Sequence, residues 1–60
     1  MIDLNTVRQF ETETLILASR YQDEEYTYNW LEHQTIQFND MDRQTILRQC
    51  RKLLNSIFEV

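Results

Sequence analysis

Cys50 and His33 are the only cysteine and histidine in this sequence, and so the first places to look for nucleophilic or proton-transfer chemistry near neutral pH. A Cys–His nucleophile would need them side by side, and no motif around either residue supports that pairing. Cys50 lies between Leu47 and Leu54 in an apolar stripe, the setting of a small buried hydrophobe. Arg51 and Lys52 beside it would lower its pKa only if the thiol were exposed. His33 has Asn29, Trp30, Ile36 and Gln37 one helical turn away, none of them a strong ligand or an orienting acid. Glu32 is adjacent in sequence and projects elsewhere.

The carboxylates are no better placed for catalysis. Glu11 and Glu13 are two residues apart and Glu24 and Glu25 are neighbours, so neither pair shares a helix face. A general acid–base pair also needs a sheltered pocket, which a domain this small rarely forms. The absence of glycine removes any Gly-rich phosphate loop. Structural zinc takes about four Cys or His ligands, and this chain holds two such residues. No catalytic residues, no metal and no cofactor are therefore expected; the chain reads as a non-enzyme.

Binding is better represented. Tyr21, Tyr26, Tyr28 and Trp30 put four large amphipathic rings into ten residues, more than a small helical core fully buries. Such rings anchor protein interfaces, because they give much contact area for few rotatable bonds. They are the candidate partner-binding residues. Base stacking would use the same rings, but Asp23, Glu24 and Glu25 beside them would repel phosphates. The alternative site is basic: Arg43, Arg48, Arg51 and Lys52 on one face of the last helix could grip phosphate as a recognition helix does. Phe58-Glu59-Val60 also has the spacing that some peptide grooves accept, although packing at a helix end explains it equally well.

The elements that carry these residues follow from apolar spacing. The stretch Met41–Phe58 has Ile46, Leu47, Cys50, Leu53, Leu54, Ile57 and Phe58 at alternating three- and four-residue steps, a wide stripe along one helix face. Asp42 is its expected N-cap, with Met41 and Ile46 as a hydrophobic staple. Residues 3–21 read as a first helix, capped by Asp3 or Asn5, with Leu4, Val7, Phe10, Leu17 and Tyr21 on one stripe. Leu15, Ile16 and Ala18 widen that stripe, which points to packing both inside the protomer and against something else. The middle divides two ways. A helix from Asp23 is preferred, with Glu24 and Glu25 near the positive end of its dipole. The alternative is an α+β fold with a central β-hairpin at about 26–38, since Tyr26, Tyr28 and Trp30 alternate with polar residues. A heptad seam from Val7 through Thr14, Tyr21, Tyr28 and Thr35 to Phe38 also allows the first two helices to run as one.

Size and charge set the frame. Sixty residues make one domain, and a chain this short buries only ~60% of its unfolded surface. With no internal disulfide available, helix packing and association remain to stabilise it. The expected fold is all-α, a small helical hairpin or three-helix bundle spanning residues 1–60, completed as a homo-oligomer, most simply a dimer. A net charge of −4 argues against general nucleic-acid or anionic-membrane binding. Residues 1–42 hold nine carboxylates against Arg8 and Arg20, whereas residues 43–60 hold four bases against Glu59; the simplest expectation is that the two parts lie against each other. No apolar run reaches the ~18 residues of a membrane span, the start of the chain lacks signal-peptide character, and an unpaired thiol suits the reducing cytoplasm. The functional expectation is a small regulator, adaptor or inhibitor that docks on another protein through its aromatic segment and acidic surface. The alternative is a dimeric nucleic-acid-binding regulator using the basic helix.

Overall fold

The computed structural model describes residues 1–59 and contains three helices: α1 (Leu4–Tyr21), α2 (Glu24–Gln34) and α3 (Asp40–Phe58). Val60, the last member of the terminal apolar triplet, lies outside the described residues. The segment for which helix and hairpin competed is helical through Gln34. The fold is an all-α three-helix bundle.

Each helix begins on a side-chain oxygen that takes one of its orphan amides. Asp3 accepts from the Asn5 amide at 3.2 Å, and Asp23 accepts from the Tyr26 amide at 3.0 Å. The first two helices do not run on as one. Gln22 takes a left-handed conformation, φ 51 and ψ 40, while its amide donates to the Ala18 carbonyl and closes α1. The chain then restarts immediately at Asp23. The seam that the heptad pattern suggested is thereby split, and α2 folds back along α1.

The start of α3 corrects the expected cap. Asn39, not Asp42, is the N-cap: its side-chain carbonyl accepts from the Asp42 backbone amide at 2.9 Å, and its side-chain Nδ2 donates to the Asp42 carboxylate at 3.2 Å. Asn and Asp three residues apart can each cap, and the earlier choice satisfies both side chains reciprocally. The Met41–Ile46 staple is absent accordingly, since Ile46 is buried and Met41 is 82% exposed.

Tyr21 meets Tyr26 and Phe10 meets Phe38, so α2 runs antiparallel to α1. Thr14 on α1 faces Cys50 on α3, and the early turns of both helices line one groove, so those two run parallel. The core is Val7, Ala18, Leu31, Ile46, Leu47, Cys50 and Leu54, flanked by Phe10, Tyr28, Trp30, Phe38 and Phe58. Three threonines, Thr14, Thr27 and Thr35, are fully buried with it. Each hydroxyl donates to the carbonyl four residues back, to Phe10 at 2.7 Å, Asp23 at 2.9 Å and Leu31 at 2.7 Å. That bond allows a small polar side chain to stand between helices without a desolvation penalty. Among the described residues no buried side-chain polar atom lacks a partner, and no helix is long and apolar enough to cross a membrane.

Candidate functional site

The four rings singled out by the sequence do not form one cluster. At 100° per residue, Tyr26 and Trp30 lie on the side of α2 that turns toward α1, while Tyr28 lies on the side that turns toward α3. Tyr21 and Tyr26 form an edge-to-face pair across the corner between α1 and α2, centroids 5.0 Å apart and planes at 61°. They are 50% and 48% exposed. Trp30 is half-buried, and with Ile16, Leu17 and Glu13 it lines a shallow depression of about 260 Å³ one turn further along. Tyr21, Tyr26 and Trp30 thus make one aromatic edge along the outer α1–α2 seam. Ile16 stands exposed beside it, and the acids Glu13 and Asp23 flank it. Ile16 is the member that sequence reading missed as a site residue, although its position in the widened stripe of α1 was visible.

Tyr28 is engaged elsewhere. The Arg51 guanidinium sits 4.7 Å from its ring centroid, a cation–π contact between α2 and α3. Glu24, Glu25 and Asn29 line the same cleft, so here the acidic start of α2 faces a cation of α3.

The basic strip is divided as well. Arg43 was expected on the outer face of the last helix, but it turns inward from the first turn of α3. Its Nε donates to the Thr35 hydroxyl at 3.2 Å, and a terminal nitrogen donates to the Glu32 carbonyl at 3.1 Å. The reason is geometric. The last carbonyls of α2 have no intrahelical donors, and a cation there is favoured by the negative end of the helix dipole. Arg43 closes α2 and the exposed Arg51 lies over Tyr28, while Arg48 and Lys52 make up the rest of the strip's exposed bases.

Cys50 is fully buried, and that burial raises its pKa above the ordinary 9.0; the Thr14 hydroxyl pulls it down and the Glu11 charge adds to the rise. A protonated, enclosed thiol behaves as an apolar side chain. His33 is exposed, and its Nδ1 donates to the Asn29 carbonyl at 2.9 Å. The two residues lie on different sides of the fold, one in the core and one on the outer face of α2. Among the described residues, no three His, Cys, Asp or Glu side chains are grouped as a metal ion would require.

The chain matches no family model, no curated protein and no solved structure. A functional reading therefore has to come from the surface itself.

Proposed function

We propose that this protein is a small non-enzymatic regulator, adaptor or inhibitor that binds another protein through the Tyr21–Tyr26–Trp30 edge. The observation that supports this most is the exposed Tyr21–Tyr26 pair. Two large rings hold each other edge to face at the surface, pre-ordered and half in water, with Ile16 and Trp30 extending the apolar area along one seam. Rings held in place lose little entropy on docking, which is why Tyr and Trp recur among residues that dominate binding energy. Glu13 and Asp23 flank the edge, so a partner carrying basic groups around an apolar notch is the complement. Tyr28 belongs to the α2–α3 contact in this reading and is not an anchor.

The test is affinity capture from native cell extract, with and without nuclease, followed by binding measurements with the protein retained. Tyr26→Ala should weaken binding by about tenfold or more, as loss of an anchoring ring does. Arg48→Glu should leave the affinity within about twofold, because a solvated base away from the contact contributes little. Loss of capture on nuclease treatment, or on Arg48→Glu but not Tyr26→Ala, would transfer the function to nucleic acid and the basic helix.

A further inference from the structure

The face of the bundle opposite α2 is open. Between the first turns of the parallel helices α1 and α3 runs a groove of about 850 Å³, lined on the α1 side by Leu4, Val7, Arg8 and Glu11 and on the α3 side by residues that include Met41 and Asp42. Leu4 is 61% exposed at its edge, and Leu15, further along the same side of α1, is 44% exposed.

These residues have an order that selects their occupant. Leu4, Arg8, Glu11 and Leu15 fall within about 60° of arc on α1, since each lies three or four residues from the next. The strip reads apolar, cation, anion, apolar, with spacings of four, three and four. Its midpoint lies between Gln9 and Phe10. Turned end for end about that midpoint, the strip sets each leucine against the other leucine and each charge against its opposite. A two-fold interface makes that demand, because every residue i that meets j must also be a j that meets i. A parallel neighbour would instead place Arg8 on Arg8 and Glu11 on Glu11.

We infer that this face binds a second copy of the chain, with the two α1 helices antiparallel. Leu4 of each subunit packs on the partner subunit's Leu15, and Arg8 of each pairs with the partner subunit's Glu11. The partner's leucine fills the Leu4 end of the groove beside Met41. The dimensions suit this. The bundle measures 33 × 18 × 16 Å, and a small stable dimer covers about 600–1,000 Å² per subunit, roughly the whole of one long face. Balanced signs in the strip also allow two chains of net charge −4 to approach there without a local clash. The interface lies on the opposite side of α1 from the aromatic edge, so it does not depend on the function proposed above.

Sedimentation equilibrium from about 1 µM to about 1 mM, a range in which a small interface dissociates, tests the pairing. The wild-type chain should form a reversible dimer. Arg8→Glu and Glu11→Arg should each weaken it by about tenfold or more, because two-fold symmetry turns two attractive pairs repulsive at once. An equimolar mixture of those two variants should regain association, since each then carries one sign only, and Arg8→Glu with Glu11→Arg in one chain should also restore it. Leu15→Ala should weaken the dimer, whereas Tyr26→Ala should not. Arg8, Leu15 and Tyr26 are exposed and Glu11 is half-buried at the groove, and circular dichroism at the dilute end should show unchanged helicity. A chain that stays monomeric to about 1 mM would leave the groove to some other occupant and overturn the inference. So would a dimer indifferent to both charge reversals, or single variants whose mixture fails to recover.

Discussion

Arg43 is the side chain whose role differs most between the sequence and the folded chain. Its guanidinium reaches the Thr35 hydroxyl and the Glu32 carbonyl together, and Thr35 meanwhile donates to Leu31, so three groups at the end of α2 are satisfied at once. Removing it takes a charged donor from both acceptors and leaves the Glu32 carbonyl only the 3.3 Å bond from the Thr35 hydroxyl, and Arg43→Ala should cost about 1–3 kcal/mol in urea unfolding. Arg43→Lys should recover little, because a single ammonium lacks the fork that bridges two acceptors. Cys50 makes a prediction of opposite character. Its pKa is raised in the fold, so the unfolded chain loses the thiol proton first as pH rises. The stability tied to the protonated thiol is complete below the ordinary value of 9.0, and it should decline as pH climbs from there through the folded value. Unfolding curves of wild type and Cys50→Ala, followed upward from neutral pH, should converge over that interval.

The elements were largely legible because helix starts are local events. Asp3, one of the two candidates, caps α1, and Asp23, where the middle helix was expected to start, caps α2, since a short side-chain oxygen needs only its own next turn to bond to. Asn39 and Asp42 show the limit of that reasoning. Both are competent caps, and the choice between them fixes which residue of α3 reaches back to α2. Gln22 is the other point at which local pattern was insufficient. The heptad seam passes through it unbroken, yet the chain there adopts a left-handed conformation that costs a residue with a Cβ about 1 kcal/mol. Gln22→Gly should therefore stabilise the protein by about 0.5–1 kcal/mol, read as a rise in the urea midpoint at unchanged slope.

At the scale of the whole molecule, a small core leaves little margin. Among the described residues, seven buried apolar residues and three buried threonines hold the three helices together. Domains of this length rarely exceed about 3–5 kcal/mol of stability from one core. Leu54 is fully buried, and Leu54→Ala in a close-packed site costs about 2–5 kcal/mol. That variant should be largely unfolded at 25 °C, with helical circular dichroism lost and Trp30 fluorescence shifted toward that of a solvated indole. The same economy explains the surface. A chain this short cannot turn every apolar side chain inward, and Leu4, Leu15, Ile16, Tyr21 and Tyr26 all remain on view.

The amino-acid sequence by itself pointed to an all-α fold, to where its first and middle helices begin, and to the apolar stripe on the last one, while leaving open whether the first two helices run as one. Apolar spacing and capping act through hydrogen bonds within a turn or two, so a linear reading captures them. Only the tertiary structure decided what each outward face became. Tyr26 and Tyr28 are two residues apart, yet one joins an exposed aromatic edge and the other lies under Arg51. Arg43 and Arg48 are five apart, yet one closes a neighbouring helix and the other stands in water. Those outcomes depend on how one helix is rotated against the next, which the packing of Ile46, Cys50 and Leu54 against Ala18 and Leu31 sets across distant parts of the chain.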